Sequence, residues 1–259
     1  MYVNLQETVY SSKNVLNIEL NDPKSLNSIG TSMSKQLLAA ANKAIKLASR
    51  QEIYALLLTA RVDRPSSRPV WVAGGNLKEL SKIREKKAAI QYSGTMIEFC
   101  KILENLPIPV ISIIDGRAIG GGAEIALAAD LRIGTRDCSF EWKQLMMGLP
   151  TGYGTTPRLV SLIGLAAAQK LLYFSETIEA QKCLSLGLIQ ELVDSRDDAF
   201  KLIDTLMSRL EPKAFKSQKE LFCKAAKKFE LSTSLQSKIF GSAWLNPLHS
   251  KQIEAFLKK

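Results

Sequence analysis

The sequence predicts an α/β fold in which strands alternate with helices and pair largely in parallel. Three observations lead there. Short apolar runs recur between longer stretches of helical periodicity, two glycine-bearing turns join such runs to helices, and beyond Val193 only helical periodicity continues. Val15 to Leu20 alternates as a strand does, and Asn21, Asp22 and Pro23 supply the turn residues that end it. From Thr31 to Leu47 the residues Met33, Leu37, Leu38, Ala41 and Ile45 fall on one side of a helix. Ile53 to Thr59 is short and almost continuously apolar, the pattern of a strand buried on both faces. A loop from Arg61 to Pro69 precedes a short strand at Val70 to Val72. Helical sequence runs from Leu77 to Leu106, Pro107 and Pro109 end it, and Val110 to Ile114 is the next strand. Gly120 opens a helix expected to reach Ala129, and Leu131 to Gly134 follows as a strand. The expected division is an α/β core over 1–195 and a helical region over 196–259.

With 259 residues, 46% hydrophobic and 23% charged, the chain has the composition of a globular protein rather than a disordered or collagenous one. No stretch approaches the roughly 18 consecutive apolar residues of a membrane span. The first residues carry neither the basic nor the apolar region of a secretory signal, so none is expected. Cys100, Cys138, Cys183 and Cys223 lie far apart, which argues against a zinc site and fits a reducing cytoplasm. His249 is the single histidine, which excludes most metal-ligand clusters and argues against a Ser-His-Asp triad, so acid–base chemistry is expected to rest on carboxylates. The net charge is +10, and 13 basic against 7 acidic residues from Arg196 onward put +6 of it in the last quarter. Such an excess suits either a solvated basic surface or a phosphate-bearing ligand. No nucleic-acid-binding motif accompanies it, so nucleic acid is not the expected partner.

Two glycine-bearing turns each lie between a strand and a helix: Ala73 to Leu80, and Asp115 to Leu127. Glycines at a helix start leave backbone N–H groups uncovered, and the helix dipole adds partial positive charge. Brought together, two such turns would aim two donors at one oxygen, forming an oxyanion hole. Taken singly, each is better explained by close helix packing and a tight turn. Neither matches a Walker loop or a dinucleotide fingerprint. Glu124 follows Gly121 by three residues among Ala123, Ile125, Ala126 and Leu127. A carboxylate there either complements the helix dipole or faces a cavity, where desolvation raises its pKa toward the range of a general acid or base.

The stretch Pro109 to Asp130 resembles the signature of the enoyl-CoA hydratase/isomerase (crotonase) superfamily. Five further stretches resemble that family in the same order: Asn21 to Asn27, Ala73 to Glu79, Gly148 to Gly164, Ile178 to Ile189 and Ile253 to Lys259. The resemblance implies a crotonase-like spiral of ββα units with a C-terminal helical trimerisation region, assembled as a homotrimer or a dimer of trimers. It implies an acyl-CoA substrate, with CoA as part of the thioester, no separate cofactor and no metal. Gly75 and Gly121 would polarise the thioester carbonyl and stabilise an enolate. Lys24, Ser25 and Leu26 would meet CoA together with Ala73, Gly74, Asn76, Leu77 and basic residues of the C-terminal helices, while Tyr153 would border the acyl group.

Two departures from the family pattern bear on the reaction. Hydratases of the family use two glutamates around a water; Glu124 matches the first, but the second position holds Gln144, whose amide cannot exchange a proton near neutral pH. Glu141, three residues out of register, is the other carboxylate of that stretch. A lone glutamate with Tyr153 following is similar to decarboxylating relatives such as ethylmalonyl-CoA decarboxylase. Asn76 stands where many relatives carry Asp. The leading expectation is an enoyl-CoA hydratase/isomerase-type enzyme; an alkylmalonyl-CoA decarboxylase using Glu124 alone, or a catalytically silent acyl-CoA- or RNA-binding relative, are the alternatives. Ala199 to Met207 and Leu231 to Phe240 are apolar enough that burial between subunits is expected.

Overall fold

The computed structural model describes residues 1–63, 68–226 and 233–258. A hairpin of β1 (Val3–Tyr10) and β2 (Lys13–Leu20) opens the chain, turning at Ser11 and Ser12, which both have positive φ. That turn matches the twist of a two-residue hairpin without the Asn-Gly pair that usually announces one. Helix α1 (Thr31–Ser49) leads into β3 (Ala55–Ala60), then β4 (Val70–Val72), α2 (Leu77–Leu80) and α3 (Lys86–Asn105). The pattern repeats as β5 (Val110–Ile114), β6 (Arg117–Ile119) and α4 (Gly121–Ala126), and again as β7 (Leu131–Thr135), β8 (Ser139–Glu141) and α5 (Thr155–Ile163). In each turn of this spiral the first strand joins a six-stranded sheet and the second a four-stranded one. The larger sheet has the order β1-β2-β3-β5-β7-β10 and the smaller β4-β6-β8-β9, completed by β9 (Thr177–Glu179) and β10 (Glu191–Val193). Helices α6 (Leu165–Phe174) and α7 (Ala180–Leu186) flank β9 in the chain. The fold is therefore the α/β spiral of ββα units that the family resemblance implies.

Parallel pairing of β3 and β5 between β2 and β7 explains the almost continuous apolar runs of these two inner strands, because both faces are covered. One face packs on the main core with Trp71, Phe99 and Phe140; the other carries Val15, Leu57, Ile111 and Ile133 beneath α8 (Arg196–Arg209). Three expectations need correction here. Helical sequence from Leu77 does not run unbroken to Leu106; it is split into α2 and α3 by the polar stretch after Leu80. The helix opened by Gly120 ends at Ala126, with Ala128 N–H reaching Ile125 O at 3.1 Å in a tightened last turn. Ala199, Ile203 and Met207 need no second subunit, since they seal the sheet of their own chain.

The remaining helices are α9 (Pro212–Ala226), α10 (Thr233–Trp244) and α11 (Pro247–Leu257). Lys219 of α9 is buried, donating to the carbonyls of Leu103 and Ile108 and pairing with Asp130 at 2.7 Å. Helix α10 lies along α3 so closely that a Cβ on Gly241 would come within 2.3 Å of Ile90 Cγ1. Helix α11 is held to the turn Leu145–Met147 by His249 Nδ1 and Met147 O, 2.9 Å apart. Part of the Leu231 to Phe240 expectation and of the Arg61 to Pro69 loop lies outside the described residues. Phe240 itself is buried in its own chain, whereas Leu235 and Ile239 are exposed.

Candidate active site

The two glycine turns meet. Gly74 and Gly120 adopt positive φ, and a Cβ on Gly74 would lie 2.6 Å from Ile119 O and 2.9 Å from Gly121 N, so only glycine permits the approach. Ile29 fixes the first turn from the side: its N–H donates to Gly74 O at 2.6 Å, and its carbonyl accepts from Asn76 N–H at 3.0 Å. Gly121 is the first residue of α4, where an N–H has no intrahelical acceptor. Among the described residues, no hydrogen bond uses the N–H of Gly75 or of Gly121. The geometry leaves two neighbouring donors uncommitted.

Glu124 lies in the first turn of α4 and is 2% exposed. Four donors converge on its carboxylate. Gln144 Nε2 at 2.7 Å and Gly152 N–H at 3.1 Å reach Oε1; Tyr153 N–H at 2.8 Å and Thr155 Oγ1 at 2.7 Å reach Oε2. Burial in apolar surroundings raises its pKa, and the bonds from Thr155, Tyr153, Gly152 and Gln144 oppose the rise without cancelling it. Gln144 begins the turn Leu145–Met147, and its Oε1 is buried without a partner. Tyr153 lays its ring over Gly121 and shares a very short hydroxyl–hydroxyl bond with Tyr92.

Other expected site residues lie on the Pro23–Ser25 turn and at the start of α2. Pro23–Ser25 forms a single helical turn, and Leu26, exposed and at positive φ, accepts Ala73 N–H at 2.9 Å. Lys24 is exposed and Ser25 half-buried on that turn, which thus adjoins the strand end carrying Ala73, Gly74 and Gly75. Asn76 caps α2 by accepting Glu79 N–H at 3.0 Å, and Leu77 starts that helix. Glu141 stands apart: Arg117 at 2.8 Å and Lys143 at 3.4 Å hold its carboxylate, and it bonds to none of Glu124, Gln144 or Tyr153.

Sequence reasoning missed Thr155, Tyr92 and the backbone of Gly152, which complete the centre. The signal available was the glycine-rich approach to α5, with Gly152 and Gly154 placing successive donors at a helix start. It also missed Asn27, buried beneath the Lys24 turn and donating to Arg61 O at 2.8 Å and Trp71 O at 2.9 Å. Two basic residues of the C-terminal region are not free to meet a ligand, since Lys219 is engaged internally and Arg196 pairs with Glu19 and Asp115.

The sequence profile of the enoyl-CoA hydratase/isomerase family matches residues 10–256. The chain belongs to that family. A short-chain-enoyl-CoA hydratase of Clostridium acetobutylicum is 26% identical over 249 residues, covering 93% of this chain and 90% of its own. A mitochondrial methylglutaconyl-CoA hydratase of Rattus norvegicus is 29% identical over 168 residues, 64% of this chain and 51% of its own. The solved enoyl-CoA hydratase of Bacillus halodurans superposes with a TM-score of 0.85 at 21% identity, covering 98% of this chain and all of that one. A methylmalonyl-CoA decarboxylase superposes at 0.77 with 22% identity, covering 100% and 95%. Those two structures speak for the shared fold alone. Membership in the enoyl-CoA hydratase/isomerase family makes this a chain of a catalytic superfamily whose members work on acyl-CoA thioesters. Among its described residues no helix is long and apolar enough to cross a membrane.

Proposed function

We propose that the protein binds an acyl-CoA thioester with the carbonyl oxygen between the N–H groups of Gly75 and Gly121, and uses Glu124 as the one carboxylate that moves a proton. The observation carrying this reading is the contact of the two glycine turns, with uncommitted donors beside a buried carboxylate. Two fixed donors stabilise the negative charge that develops on the oxygen of an enolate, and removing one such donor from a site typically costs on the order of 10²–10³ in rate. Glu124, with its pKa raised by burial, can take the proton from the α-carbon or return one. The Lys24 to Leu26 turn, adjoining Ala73, is the proposed seat of the nucleotide end of CoA.

Enoyl-CoA hydration by this site should be slow. Gln144 fills the second carboxylate position and donates to Glu124 directly at 2.7 Å, and Glu141 is occupied by Arg117 and Lys143. That arrangement favours a second reading, decarboxylation of an alkylmalonyl-CoA, because loss of CO₂ leaves the same enolate and needs one proton afterwards. Incubation with enoyl-, hydroxyacyl- and alkylmalonyl-CoA esters, with products identified by mass, separates the two. Acetyl-CoA at millimolar concentration should raise the melting temperature by mass action. An unchanged melting temperature together with salt-steep RNA binding would contradict the thioester reading altogether.

A further inference from the structure

The two buried phenols beside the glycine turns have no part in the chemistry outlined above, yet they pack against both glycines that would hold the reacting oxygen. A Cβ on Gly121 would stand 2.6 Å from Tyr153 Cε2 and 3.0 Å from its hydroxyl oxygen, while a Cβ on Gly75 would stand 4.0 Å from the Tyr92 hydroxyl. The hydroxyl pair therefore borders both glycines whose N–H groups are uncommitted. Tyr153 and Tyr92 are 3% and 4% exposed, so neither hydroxyl is satisfied by bulk water.

The direction of their hydrogen bonds is fixed at one end. Tyr92 Oη lies 2.8 Å from Ile29 O, and a carbonyl only accepts, so Tyr92 spends its one proton there. Tyr153 must then donate to Tyr92. Ile29 O, however, also accepts Asn76 N–H at 3.0 Å. If Tyr92 turns its proton toward Tyr153, the carbonyl keeps a partner and no buried acceptor is stranded. The proton of Tyr153 is then free to point elsewhere. Only hydroxyl hydrogens rotate, and both rings stay in place.

Building on the thioester reading, we propose that the Tyr153 hydroxyl is a third donor to the oxygen cradled by Gly75 and Gly121, released by reversal of its hydrogen bond with Tyr92. No proton changes owner at this oxygen: the α-hydrogen goes to Glu124, the electron pair moves onto the thioester oxygen, and Tyr153 donates without ionising. Burial pushes both phenols above the ordinary phenol range, which keeps them protonated through neutral pH. A hydrogen bond to a charged oxygen is about twice as strong as one between neutral groups. The reversal is thus favoured when the enolate forms and not when the neutral thioester binds, so it acts on kcat rather than KM.

The test is exchange of the α-hydrogens of butyryl-CoA in D₂O, followed by mass, which reads enolate formation whatever reaction follows it. Tyr153→Phe keeps the ring over Gly121 and leaves Tyr92 bonded to Ile29 O. It should slow exchange at saturating thioester by about 10²–10³-fold, the usual loss for one oxyanion donor, while KM changes little. Tyr92→Phe removes the acceptor that holds the Tyr153 proton and should speed exchange, while the double variant should be as slow as Tyr153→Phe alone. Exchange by folded Tyr153→Phe at the unmodified rate, or a loss confined to KM, overturns the proposal while leaving the thioester reading intact. Should circular dichroism show Tyr153→Phe unfolded, Tyr92→Phe decides: a faster kcat supports the proposal, and an unchanged or slower one overturns it. Absence of exchange in the unmodified protein overturns both readings together.

Discussion

Glu124 shows how burial and hydrogen bonding compete at a single residue. Desolvation favours its neutral form, and four donors favour its ionised form. Because the folded pKa is raised above the unfolded one, its contribution to stability is present at low pH and is lost as pH rises from the ordinary glutamate range through the folded value. The melting temperature of the unmodified protein, taken relative to Glu124→Gln, should accordingly fall as pH rises from about 4 toward neutrality; a difference that grows instead would contradict the raised pKa. The amide of Glu124→Gln can be accommodated in part, since Gln144 can flip and offer the Oε1 that now lacks a partner. Gly121 is a second critical residue. Any Cβ there meets the Tyr153 ring at 2.6 Å, so Gly121→Ala should destabilise by about 1–3 kcal/mol, the usual cost of overpacking. Gly75→Ala meets only the movable end of Leu80 at 2.9 Å and should stay folded with a smaller loss; urea unfolding of the pair would reveal the contrast. The burial of Glu124 was legible, because its neighbours are apolar all round. Its donors were not, because Gly152, Tyr153 and Thr155 reach it across 28 to 31 residues through a turn with no local periodicity.

Among the elements, legibility followed burial. Strands β3 and β5, covered on both faces, carry almost continuous apolar runs and stand out in the sequence. Strand β1 does not, because most of its side chains face solvent, with Val9 63% exposed, and its serine turn carries no hairpin signature. The α2–α3 break was hidden for a different reason: Glu79 serves as a cap for α1, through Thr31 N–H and Oγ1, a bond to a remote segment that helical periodicity cannot register. Helix α9 is fixed chiefly by Lys219, which links the Leu103 and Ile108 carbonyls to Asp130. Removing one partner of a buried pair strands the other, so Lys219→Met should cost about 3 kcal/mol, the low end of such losses because Asp130 is 28% exposed. Urea denaturation measures this; a midpoint within error of the unmodified protein would mean that α9 is held by something else.

At the scale of the whole molecule, the spiral stacks three ββα units so that the turns after β4 and β6 meet, and α10 and α11 pack on α3 and on the Leu145–Met147 turn of the same chain. The exposed apolar side chains Leu145, Leu165 and Tyr173 rim one hollow beside Gln144 and along α6, and Met146 and Phe174, next to them in the chain, are exposed as well. A homotrimer or dimer of trimers would cover such a rim. Sedimentation should give a multiple of the 28.6 kDa chain mass corresponding to three or six copies, and a monomer at micromolar concentration would refute this.

The most direct measurement is turnover of crotonyl-CoA and an alkylmalonyl-CoA by the unmodified protein and by Glu124→Gln. With Glu124 as the one proton-moving carboxylate, the variant should lose most of whichever activity is present while acetyl-CoA still raises its melting temperature. Robust hydration of crotonyl-CoA that is indifferent to replacement of Glu124 would contradict the assignment at its centre.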